Sequence, residues 1–349
     1  MRILFSQGSD ERVSMTETGQ ATTGLSLARS RPGFLRFASR ERLRSWALVP
    51  VIGVLMVIGT LVDPVFLSPE NLINVLQQQT ELALVVLALS LTLIAGKIDL
   101  SLESTVGFAP AFAVVVVAGL GFGDGLVIPL ALAVGALVGL TNGLLIIRLG
   151  LNAFIVTLGM LIVLRGLQIG ITGGQSIFDL PVSISLLGTT SLLGLPVSIW
   201  ICAAAFIVGI VVLHYFRYGR AVYAVGGNAE AARAAGVRTG RTVWVVLVIG
   251  SVLAALAGVL LAGRLGSIAA AQGQGMIFTV FAAAVIGGIS LAGGRGSLFG
   301  ALTGVIALGL IQNILTLAGV SGQWFGAIYG GIILAALMIS RLTAGRDED

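Results

Sequence analysis

This sequence predicts an all-α integral membrane protein with about ten transmembrane helices, and three observations carry that reading. Hydrophobic residues make up 57% of the 349 and charged residues only 10%, where a soluble domain carries about 25% charged. Mean hydropathy is +1.06. The apolar residues fall in runs long enough to cross a bilayer, which takes about 20 residues per helix. The basic residues gather in the N-terminal tail and the intervening segments, nearly all on one side.

Taken in order, residues 1–44 are polar and hold eight of the 20 basic residues, which predicts a disordered basic cytoplasmic tail. Windows of about 19 residues then give helices over 46–62, 72–95, 102–119, 126–147, 152–171, 197–213, 242–263, 276–292, 298–318 and 323–340. They form a ten-span body over 45–341, followed by a cytoplasmic tail over 342–349. An even number of spans puts both termini on one side. If that side is the cytoplasm, Arg148, Arg217, Arg220, Arg233, Arg238, Arg241, Arg295, Arg341 and Arg346 join the basic tail inside. Only Arg264 falls outside, as the positive-inside rule requires.

The two halves resemble each other. Leu93–Lys97 (LIAGK) matches Leu260–Arg264 (LLAGR), and Gly135–Gly139 (GALVG) matches Gly300–Gly304 (GALTG). Each match shifts the chain by five spans, so the copies form an inverted repeat, a common transporter arrangement. Gly135, Gly139 and Gly143, and likewise Gly296, Gly300 and Gly304, recur every four residues. Small residues at that spacing let helix backbones approach closely, and packing inside the bundle is the plainer use of both rows.

Charge at membrane depth is costly unless paired or wet. The segment Ala95–Glu103 (AGKIDLSLE) introduces Lys97, Asp99 and Glu103 between the second and third spans. A turn that starts the third helix is the plain reading, and a part in the permeation route is the sharper one. Lys97 is expected to pair with Asp99 or Glu103. Asn74, Gln78, Asn142 and Asn313 complete the candidate pathway; such amides suit an uncharged hydroxyl-rich solute, although helix–helix hydrogen bonds are their commoner role. Arg165 also lies within a span, and the sequence names no partner for it.

Between spans six and seven, Gly226–Val237 reads GGNAEAARAAGV. Asn228 suits an N-cap, Glu230 lies in the first turn where the helix dipole favours an anion, and Gly236 suits a C-terminal stop. The segment predicts a cytoplasmic helix over about 228–236. Two turns are too short to persist alone in water, so it lies on the membrane surface or docks a soluble partner.

No catalytic constellation, phosphate loop or metal-ligand cluster is present, so neither a catalytic residue nor a cofactor is expected. One cysteine and one histidine rule out a disulfide framework and a Cys/His metal site. The basic balance is explained by membrane topology and does not point to nucleic acid.

Taken together, AGKIDLS, Asn152–Gly166 (NAFIVTLGMLIVLRG), Tyr223–Val237 (YAVGGNAEAARAAGV) and Val285–Val305 (VIGGISLAGGRGSLFGALTGV) resemble the permease subunits of ribose-type bacterial sugar ABC importers. The resemblance covers about 46–340. It implies a multi-pass subunit of the bacterial inner membrane that works as a homodimer or with a paralogue. Its implied partners are a cytoplasmic ABC ATPase, a periplasmic sugar-binding protein and membrane lipid. It makes Asn228, Glu230, Ala231, Arg233 and Gly236 part of a coupling helix that contacts the ATPase. Lys97 and Glu103 stand where the family usually has glycine. ABC permeases for nucleosides or branched-chain amino acids remain open, as does an ion-coupled secondary transporter, for which inverted repeats also occur.

Overall fold

The computed structural model describes residues 48–331 together with Leu334 and Met338. The tails expected at 1–44 and 342–349 lie outside the described residues; of the span expected at 323–340, residues 325–331 are helical and seven further residues lie outside the described ones. The helices are α1 (Leu48–Val62), α2 (Pro69–Ile94), α3 (Ser101–Leu120), α4 (Val127–Gly143), α5 (Ala153–Thr172), α6 (Val182–Thr189), α7 (Val197–Tyr215), α8 (Arg217–Gly227), α9 (Ala229–Ala234), α10 (Thr239–Leu265), α11 (Met276–Ile286) and α12 (Leu298–Leu317). A two-residue hairpin, Ser191–Leu192 with Leu195–Pro196, precedes α7.

Among the described residues, seven helices are long and apolar enough to cross a membrane: α2, α3, α4 with its flanking turns, α5, α7, α10 and α12. The apolar α1 and α11 are shorter. The chain is thus a mainly helical membrane protein. The run expected at 276–292 stops at Ile286, because Gly288 takes φ +85 and turns the chain away. Two helices were not legible as such. In α6 the apolar stretch is only 8 residues long, and in α8 two arginines interrupt the hydropathy of a helix that lies outside the spans.

The core forms around α2, which is buried on every side from Gln79 to Ile94. A helix apolar all round requires such enclosure, and α7, α10, α11 and α12 supply it. Helices α2 and α10 pack on each other; α2 also packs on α11 and α12, and α10 on α3 and α4. Both glycine rows serve this packing. A Cβ at Gly139 would come within 2.5 Å of Val248 Cα, and one at Gly135 within 2.7 Å of Ser251 O, so α4 lies backbone-close on α10. Gly300 and Gly304 do the same for α12 on α11.

Candidate translocation and coupling sites

Charged and amide side chains join the broken helices in the middle of the bundle. Glu103, in the first turn of α3, places Oε1 2.7 Å from Arg165 Nη2 on α5. Its Oε2 accepts from Ile277 N at 3.1 Å, in the first turn of α11. That helix follows an irregular connection, and its free N–H groups and dipole favour an anion there. One turn along α5, Gln168 donates to Ala269 O and Ala270 O of the same connection. Gln272 Nε2 donates to Val106 O at 3.0 Å and Gly258 O at 3.2 Å. Four elements are therefore tied by side chains whose other option would be a bare polar group in an apolar interior.

A second ion pair lies on the other side of α10. Glu81, halfway along α2, accepts from Arg264 Nε at 2.9 Å, its side chain only 2% exposed. Its Oε2 has no hydrogen-bond partner among the described residues, so the arginine alone balances this carboxylate.

The structure distributes the expected pathway residues in three ways. Asp99 and Asn142, both fully buried, meet through Ser101. The Ser101 N–H and hydroxyl donate to Asp99 Oδ1 at 3.0 and 2.6 Å, and Asn142 Nδ2 donates to the same hydroxyl at 2.9 Å. Asn313 exchanges two 2.9 Å hydrogen bonds with Asn71 and holds α12 against α2. Asn74 and Gln78 are exposed near the start of α2. Lys97 is half-buried and forms no ion pair among the described residues. The expected pairing of Lys97 with Asp99 or Glu103 is not formed, because Ser101 takes Asp99 and Arg165 takes Glu103. Sequence reasoning left out Ser101 and Gln272, and it did not join Glu81 to Arg264. Gln272, one of two amides among small residues in GSIAAAQGQG, was the available signal.

The short segment near Gly226 folds as a capped helix. Asn228 Oδ1 accepts from Ala231 N at 2.9 Å, and α9 runs from Ala229 to Ala234. Gly236 takes φ +82, and Val237 N returns to Ala232 O at 3.0 Å to close the end. Only Ala232 of α9 is buried. It joins Val225 and Val237 in a cluster with Ile146, Val156, Val243 and Leu247. Asn228, Glu230, Ala231, Arg233 and Gly236 all lie on the exposed side. Beside them, Tyr218 of α8 donates its hydroxyl to Thr242 O at 2.8 Å. Burial pushes that phenol up to about 12, which keeps the donated proton in place.

A family model described as "Branched-chain amino acid transport system / permease component" matches residues 71–337. The chain belongs to this family. It is 35% identical to the autoinducer 2 import system permease protein of Enterobacter sp. (strain 638), over 86% of each chain. It is 33% identical to the ribose import permease protein of Escherichia coli (strain K12), over 84% of this chain and 92% of that one. The ribose import permease protein of Bacillus subtilis (strain 168) is 36% identical over the same shares. No solved structure matches it. The matched region runs from the first turn of α2 through α12.

Proposed function

We propose that this chain is the membrane-spanning subunit of an ATP-driven ABC importer, passing a neutral monosaccharide or polyol delivered by a periplasmic binding protein. In this reading it spans the inner membrane ten times with both termini in the cytoplasm. It works as a pair, with a second copy or a paralogue, and ATP is hydrolysed by a separate ATPase. The observation that carries the reading is α9. A two-turn helix capped at both ends, held by one alanine and presenting outward small residues and charges that form no ion pair among the described residues, is shaped to receive another protein. Its likeness to ribose and autoinducer 2 import permeases favours a sugar-like solute over a branched-chain amino acid or a nucleoside.

The ion-coupled alternative needs carboxylates free to take up a proton or sodium ion inside the bundle. Glu81 and Glu103 are each held by an arginine, which argues against either in that role. Asp99, fully buried and bonded to Ser101 with no ion pair among the described residues, is the one carboxylate that leaves this alternative open. The inner polar groups are otherwise mainly amides and hydroxyls. They exchange hydrogen bonds with a polyol without gripping it.

The test is to replace Ala231 or Gly236 with Trp. The chain is expected to insert and fold, to lose co-purification with its ATPase, and to lose solute uptake. Undiminished association and uptake in both variants would overturn the assignment.

A further inference from the structure

Three stretches of backbone meet at the end of α8, just before α9, with no side chain between them. They are the end of α2 at Ile94–Gly96, the end of α8 at Gly226–Gly227, and the turn Gly293–Gly296 that leads into α12. Gly294 N donates to Ile94 O at 2.9 Å. Tyr223 Oη, on α8, donates to Gly296 O at 2.8 Å. A Cβ at Gly226 would overlap Ile94 O and lie 2.6 Å from Gly294 N. One at Gly294 would lie 2.5 Å from Gly227 Cα, and one at Gly293 would lie 2.8 Å from Gly96 Cα. Gly96, Gly293 and Gly294 also take φ of +73, +88 and +68, a region that favours glycine.

The stretches come from both copies of the internal repeat. Gly96 begins the break that carries Asp99, Ser101 and Glu103. Gly293–Gly296 begins α12, which packs on α2. Gly226 and Gly227 immediately precede Asn228, the cap of α9. Flexible side chains absorb small displacements by changing rotamer. A backbone-on-backbone contact has no such slack, because close-packed interiors transmit strain.

We propose that Gly226, with Gly96 and Gly294, is a positioning residue that delivers movement of α9 to both halves of the permease at once. This rests on α9 being the ATPase contact. Force applied at 229–234 then acts on the Gly96–Leu100 break and on the start of α12 together, so the two halves move in step. A larger residue at Gly226 leaves the docking face of α9 intact but separates it from the elements it drives.

The experiment uses the complete complex of permease, ATPase and binding protein, and needs no knowledge of the cargo. A Lys97→Cys reporter is labelled with N-ethylmaleimide before and after the ATPase is trapped with ATP and vanadate. In the otherwise native chain, trapping is expected to change the labelling rate about fivefold, at the low end of coupling between linked sites. With Gly226→Ala the ATPase still co-purifies but the change disappears. Tyr223→Phe, a mild variant that removes the bond to Gly296, leaves a reduced change. Full response in Gly226→Ala, or no response in the native chain despite a bound ATPase, overturns the proposal. If Gly226→Ala does not insert, Tyr223→Phe decides, and an undiminished response there overturns it. Failure of the ATPase to bind the native chain is a separate result and removes the reading of α9 itself.

Discussion

Glu81 and Glu103 have side chains 2% and 4% exposed, each against an arginine, whereas Glu230 and Arg233 of α9 are exposed and form no ion pair among the described residues. Inside the bundle, charge holds helices together across long sequence separations. On the short helix it is left open to the surroundings. In the proposed reading, the difference separates the scaffold from the surface that meets the ATPase. An ion pair buried among helices is strongly coupled to folding, because removing one partner strands the other. A charge on α9 costs nothing to leave free in water and is available to a partner protein. The scaffold should therefore fail by losing stability, and the surface by losing a function while stability holds.

The largest expected effect comes from Arg264→Met, which leaves the Glu81 carboxylate without its balancing cation and costs about 3–5 kcal/mol of stability. Arg165→Met should cost less, about 2 kcal/mol, because Glu103 keeps its hydrogen bond from Ile277 N and bonds to charged groups have that worth. In both cases neutralising the carboxylate as well, with Glu81→Gln or Glu103→Gln, should recover much of the loss. Unfolding in detergent followed as a double-mutant cycle checks this. Absence of coupling within either pair would erase the contrast between bundle and surface.

A smaller effect is expected at the cap. Asn228→Ala removes the hydrogen bond to Ala231 N and costs about 1 kcal/mol, felt locally by α9. Hydrogen exchange at 229–234 should accelerate while the melting temperature stays in place. Smallest of all is Lys97→Met, expected within about 0.5 kcal/mol of the native chain, because the side chain forms no ion pair among the described residues. A large loss there would mean that Lys97 belongs with the scaffold after all.

Much of the fold was legible because a bilayer imposes length and apolarity on each span. The cap at Asn228 and the stop at Gly236 were legible too, since capping is decided within four residues of chain. The glycine rows pointed to close helix packing, and their partners on α10 and α11 are inside the bundle. The ion pairs could not be read in this way. Arg165 and Glu103 are 62 residues apart and Arg264 and Glu81 are 183 apart, so their meeting depends on which helix faces are turned inward. Nearness in sequence misled at Lys97. Asp99 is two residues away but turns to Ser101, and Glu103 begins α3 facing α5. Helix α8 escaped notice because amphipathic surface helices lack the sustained hydropathy that reveals a span.

The central claim is that the chain moves its cargo only when a separate ATPase drives it. The direct measurement reconstitutes the purified subunit in liposomes, first alone and then with its ATPase and binding protein, and follows labelled ribose with a panel of monosaccharides and polyols. The account predicts no ATP hydrolysis and no accumulation by the lone subunit under a proton or sodium gradient, and ATP-dependent accumulation by the complete assembly. Uphill uptake by the lone subunit under an ion gradient would contradict it.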